Sequence, residues 1–154
     1  MIHINNMNRG QRLEMAIEKG YTCNPNTGDI FGPSGKKLSD NDGLYMRFGV
    51  SYKNKWYRIL AHQFVWYYVN KNVADFIDHI NRDKKDNRIL NLRNATLQQN
   101  QFNKSAKGYS YNKRAKKYQA MIKVNYIPIH LGYFLKEDDA RQAYLDAKKI
   151  YHVI

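Results

Sequence analysis

The pattern of apolar and polar positions divides the chain into two stretches of different rhythm. Leu13, Ala16 and Ile17 recur at helical spacing over residues 8–19, and Gly20 supplies a stop, which predicts a short amphipathic helix. Asn24-Pro25-Asn26-Thr27-Gly28 and Gly32-Pro33-Ser34-Gly35 then bracket Asp29-Ile30-Phe31 in the manner of a small hairpin. Tyr45–Val50 and Trp56–Leu60 read as two more strands joined by the polar turn Ser51–Lys55, with Lys36, Lys37, Lys53 and Lys55 along the edges as solvated charge. The run AHQFVWYYV that follows is helical, and it places Val65, Trp66 and Val69 on one side with His62. That aromatic stripe is expected to be core, and His62 a packed structural histidine rather than a phosphate contact.

Beyond Asn103 the rhythm changes. Lys104–Gly108 is small and basic, as a linker would be. Tyr109–Tyr111 reads as a short strand and Asn112–Lys117 as a basic turn. Tyr118, Ala120, Ile122 and Val124 alternate inward against Gln119, Met121 and Lys123, and Ile127–Phe134 returns as a third strand with His130 between Ile129 and Leu131. Ala140, Ala143, Tyr144, Ala147 and Ile150 then form a helical stripe, with Glu137, Asp138 and Asp139 at its positive end and Lys148 and Lys149 at its negative end. The predicted fold class is α+β, as two modules: residues 1–104, and residues 108–154 as a three-stranded antiparallel sheet packed on one helix.

Composition narrows the function. In 154 residues, 26 Lys and Arg face 13 Asp and Glu, a net charge of +13, which is the electrostatic footprint of a polyanion binder. A single cysteine, Cys23, excludes an internal disulfide framework and a cysteine-pair zinc site. The polar N-terminal stretch and the short apolar run FVWYYV indicate neither secretion nor membrane insertion, so the expected location is cytoplasmic.

Chemistry concentrates in residues 78–103, DHINRDKKDNRILNLRNATLQQNQFN. Asp78 and His79 close the short apolar run Phe76-Ile77, so they are expected at a strand end, facing the polar loop 81–87. Consecutive strand residues point to opposite faces, so the two can share a site only where the strand bends or ends. Thr96-Leu97-Gln98-Gln99 fits a capping box, which starts a helix near Thr96 and puts Asn100 in its first turn. A carboxylate and an amide carbonyl are hard oxygen donors suited to magnesium or manganese, and a neutral imidazole beside them can take a proton from water.

This string resembles the core of the HNH endonucleases, in particular homing endonucleases of phages and introns with a strand-strand-helix metal site. The family's letters fall on His79, Asn91 and Asn100, the last replacing a histidine. The resemblance implies His79 as general base, Asp78 and Asn100 as ligands of one divalent metal, magnesium or manganese, and Asn91 as the residue that pins the loop. His62 stands where relatives carry a histidine packed near the site, although Gln63 replaces their arginine. Arg82 stands where the family usually has glycine, and Asn81 where it often has aspartate.

The second module resembles the Apetala/ethylene-response-factor DNA-binding domain, through Gly108-Tyr109, Lys113-Arg114, Tyr118-Gln119-Ala120, His130-Leu131-Gly132-Tyr133-Phe134 and the Ala-rich helix from Ala140 to Tyr151. Tyr118 stands where that family commonly has tryptophan, and Lys136 where it has a capping threonine. The resemblance implies a DNA-facing sheet bearing Tyr111, Lys113, Arg114, Lys116, Lys117, Gln119 and Lys123. Together the two imply a metal-dependent endonuclease acting on double-stranded DNA at a preferred site, in a bacterial or phage-infected cell, with no obligate protein partner. The rivals are a DNA-binding regulator with a decayed nuclease core and a basic sheet protein that stacks single-stranded RNA.

Overall fold

The computed structural model describes residues 7–39 and 43–152, and it is a mixed α+β chain of small antiparallel sheets and helices. The start of the polar N-terminal stretch, residues 1–6, lies outside the described residues. The chain divides into two units, Met1–Thr96 and Leu97–Ile154.

In the first unit, α1 (Arg9–Glu18) begins at a reciprocal cap: Asn8 Oδ1 accepts from the Gln11 amide at 3.0 Å, and Gln11 Oε1 accepts from the Asn8 amide at 2.9 Å. It buries Leu13, Met15 and Ala16. A hairpin of β1 (Thr22–Asn24) and β2 (Asp29–Phe31) follows, with Ile30 fully buried. The next pair, β3 (Arg47–Tyr52) and β4 (Lys55–Leu60), is joined by Lys53 and Asn54, both with positive φ, the two-residue turn that suits the twist of a ribbon. Then come α2 (Ala61–Asn70), β5 (Phe76–His79), a 3-10 turn over Ile89–Asn91, and β6 (Leu92–Ala95), which pairs antiparallel with β5.

Phe64, Ile30, Val50 and Val65 fill the centre of this unit's core, with Phe48 edge-on to Phe64 at 5.3 Å. Burying each such side chain contributes roughly 1.5–3 kcal/mol. The face of α2 that does this differs from the expected one: Ala61, His62, Phe64 and Val65 are buried, while Val69 is 44% exposed. The stripe is rotated toward Phe64 because the β3–β4 ribbon supplies the opposing apolar surface there, and Val69 lies in the last turn, beyond that cover. Cys23 is buried, and burial pushes its thiol up to about 12.

In the second unit, α3 (Leu97–Phe102) starts directly after Thr96. The sheet β7 (Tyr109–Asn112), β8 (Lys117–Val124), β9 (Ile127–Phe134) is antiparallel in that order, and α4 (Glu137–Tyr151) packs on it through Ala140, Tyr144 and Ala147. Ile150, expected in the same stripe, is 69% exposed near the helix end. Lys136, at the N-cap, makes no side-chain capping bond. Gly108 has φ +78, and a Cβ there would meet the Tyr144 ring at 2.0 Å, so only glycine allows this approach.

The division at residue 96 comes earlier than the expected linker at 104–108, for a visible reason. Phe102 stacks on His152 at 4.0 Å, Lys148 donates to the Lys104 carbonyl, and Arg141 donates to the carbonyls of Ala106 and Lys107. The stretch is bonded to α4 and does not run free. Among the described residues no helix is long and apolar enough to cross a membrane.

Candidate active site

The first unit gathers its unusual polar groups at the end of β5. Asp78 and His79 are both buried, 6% and 4% exposed, although they are consecutive. The strand ends at His79 and the chain turns at once, with the Arg82 amide donating to the His79 carbonyl at 2.9 Å. Arg82 takes φ +68, so this residue adopts the left-handed backbone that a glycine would take without cost.

Asn91 ties the following loop together. Its Nδ2 donates to the Asp86 carbonyl at 2.8 Å and its Oδ1 accepts from the Asn81 amide at 2.9 Å. Asn81 in turn donates to Asp86 Oδ2 and accepts from the Asp83 amide, both at 2.8 Å. The Arg88 fork on Asp86 holds that carboxyl down at about 2, so the loop's acid is ionised across the working pH range.

Asp78 stands opposite Arg93 in the β5–β6 register, and Arg93 Nε and Nη2 both reach its Oδ2, at 3.0 and 2.6 Å. The expected metal ligand is thus also half of an ion pair, with its carboxylate 7% and its guanidinium 24% exposed. His79 Nε2 lies 3.3 Å from Asn87 Oδ1, and Asn87 is 2% exposed. In the tautomer that donates to Asn87, the lone pair of the ring sits on Nδ1. Burial holds the His79 pKa below its ordinary value, although Asn87 and the carboxylates of Asp78, Asp86 and Asp83 pull the other way. The imidazole is therefore neutral near pH 7, the form a base requires.

Behind His79 lies His62, 6% exposed, with ring centroids 5.1 Å apart and planes nearly perpendicular. Tyr45 touches both rings, at 5.2 and 6.0 Å, and Lys84 lies 5.3 Å from the Tyr45 centroid. His62 is packed as expected but not satisfied: its Nδ1 has no hydrogen-bond partner. Burial first, then the nearby His79 and Arg9, push its pKa down to about 3.

Asn100 lies on α3, in the second unit. Among the described residues no three His, Cys, Asp or Glu side chains gather around one point. In the second unit the register separates the expected DNA-facing residues. Ser110 and Asn112 stand opposite Gln119 and Lys117, so these and Lys123 share the outer face, while Lys113, Arg114 and Lys116 occupy the exposed turn. Tyr111 stands opposite Tyr118, 5.1 Å ring to ring, and therefore belongs to the other face.

Three contributors escaped the sequence reading. Arg93 was legible only through the strand pairing. Asn87 lay in an expected loop but carried no sign of burial. Gly28, φ +77, is the least legible: a Cβ there would come within 2.6 Å of the Asn87 carbonyl carbon, so the β1–β2 turn presses on the segment that holds Asn87.

No protein-family model and no curated protein matches this chain. A solved structure described as "DNA binding and cleavage by the HNH homing endonuclease I-HmuI" matches at 27% identity and a TM-score of 0.43, over 49% of this chain and 46% of that one. The chain thus spans under half the length of that protein.

Proposed function

We propose that the chain is a metal-dependent DNA endonuclease of the HNH type acting at a preferred site, of the kind carried by homing elements. The observation that carries this is the pair at the end of β5: a buried imidazole kept neutral by its surroundings, directly beside a buried carboxylate, on a loop braced by Asn91. In this reading His79 takes the proton from the attacking water, Asn87 fixes the ring's tautomer, and Asn91 holds the loop that positions both.

The donor chemistry fits a hard cation. Asp78 offers carboxylate oxygens and Asn100, by the family resemblance, an amide carbonyl, and water and DNA phosphate would complete the shell. A magnesium or manganese ion so bound supplies charge stabilisation on the phosphate and the leaving oxygen. Arg93 sets the condition for it, because its guanidinium shares the Asp78 carboxylate. On the second unit, Lys117, Gln119 and Lys123 on the outer face, with Lys113, Arg114 and Lys116 in the turn, are the proposed grip on duplex DNA, through phosphates and groove edges.

A second reading draws on the same ion pair. If Arg93 holds Asp78 permanently, the chain is a DNA-binding regulator on a decayed nuclease core. Incubating the full chain with duplex DNA and magnesium or manganese separates the two. Cutting that a chelator abolishes is the expected result; tight binding without cutting under either metal favours the regulator.

A further inference from the structure

The first unit carries a second surface that the site above does not use. Along the β3–β4 ribbon, Phe48, Val50 and Ile59 turn into the core, while Arg47, Ser51, Trp56 and Arg58 are exposed. Gly49 stands opposite Arg58 and Ser51 opposite Trp56, so these residues share one outward face with Arg47. Trp56 is 75% exposed. Its indole lies over Gly49, where a Cβ would come within 2.9 Å of Cε3 and 3.1 Å of Cζ3. Glycine at that position lets the ring settle on the neighbouring strand. A hollow of about 360 Å³ results, lined by Arg47, Phe48, Gly49, Trp56 and Arg58, with no acid among them.

We propose that this face binds an unpaired nucleobase, stacked on the outer side of the Trp56 indole, with the adjoining phosphates held by the arginine side of the hollow. The class of partner rests on the nucleic-acid reading above; the site does not. An indole face suits every base without regard to sequence, and a guanidinium matches phosphate geometry. The companions of Trp56 on this face are Gly49, Ser51, two arginines and, at the far end opposite Arg47, the half-buried Leu60, whereas a tryptophan anchoring a protein partner sits within an apolar patch. A paired duplex offers no free base face, so the occupant is a single-stranded or flipped-out segment.

The test uses the full chain with Trp66→Phe, which leaves Trp56 as the sole indole emitter. Titrating a short homothymidine strand should quench Trp56 emission, and a strand of equal length with abasic sites should quench little and bind several-fold to a hundredfold more weakly. Trp56→Leu in the otherwise native chain should weaken the base-bearing strand by a similar factor, and Arg58→Gln should lower the salt slope of log affinity by about 0.7. Equal affinity and quenching by the abasic strand would reduce the face to unspecific charge and overturn the proposal, as would unchanged binding by Trp56→Leu. Because the abasic comparison also runs on the native chain through affinity, it does not depend on either variant folding. Duplex cutting with magnesium is measured alongside: cutting without base-dependent quenching overturns this inference alone, and quenching without cutting overturns the nuclease reading alone.

Discussion

His62 makes the first unit acid-sensitive by an amount that can be worked out. Its Nδ1 is buried without a partner and its folded pKa is about 3, against an ordinary 6.5. The folded pKa lies below the unfolded one, so below pH 6.5 the unfolded chain takes up a proton that the native site refuses. The stability this group contributes is complete above about pH 6.5 and is lost progressively as pH falls toward about 3. Between about pH 7.5 and about pH 5, where the native ring stays neutral and the unfolded ring becomes almost fully charged, the loss is about 2 kcal/mol. Both tryptophans, Trp56 and Trp66, lie in the first unit, so urea unfolding followed by indole fluorescence reports that unit alone. In His62→Leu the decline over the same window should be smaller by about 2 kcal/mol, whatever the variant's stability at neutral pH. An unchanged decline would mean that His62 is not held neutral, and the account of the histidine pair would fail.

Arg93→Gln should lower the stability of the first unit by about 3 kcal/mol without metal, because it removes the guanidinium that faces the buried Asp78 carboxylate. Magnesium should then raise its melting temperature more than it raises the native chain's; equal shifts in a thermal melt would show that Arg93 and a cation do not share Asp78. Gly28→Ala should cost about 1–3 kcal/mol, since a left-handed backbone and a 2.6 Å contact with the Asn87 backbone both oppose it. Well below its melting temperature it should also cut more slowly than the native chain, as Asn87 shifts on His79; full activity in a single-turnover assay would free Asn87 from that role.

Local features were legible in the sequence and long-range ones were not. Strand ends, the turn-forming asparagines and the helix start after Thr96 all follow from neighbours in sequence; Asp78 and His79 stand out on that basis, and Asn91 through the family resemblance. Arg93 meets Asp78 only through cross-strand register, and Gly28 meets Asn87 across a hairpin and a loop far apart in the chain. Those depend on packing, which no local pattern records. The tie between residues 104–108 and the last helix is equally hidden locally: Lys104–Gly108 has a linker's composition, but Arg141 and Lys148, on a helix more than thirty residues away, bind its carbonyls. Tyr111 stands on the Tyr118 face, 53% exposed there, because the register across the basic turn and not the alternation within one strand sets its partner.

The most direct measurement is single-turnover cutting of duplex DNA by His79→Ala, paired with its binding affinity for the same duplex. A general base contributes roughly a hundred- to ten-thousandfold to rate and little to binding. The account predicts a rate lower by that factor at nearly unchanged affinity with magnesium present. Cutting within a few-fold of the native rate would contradict it.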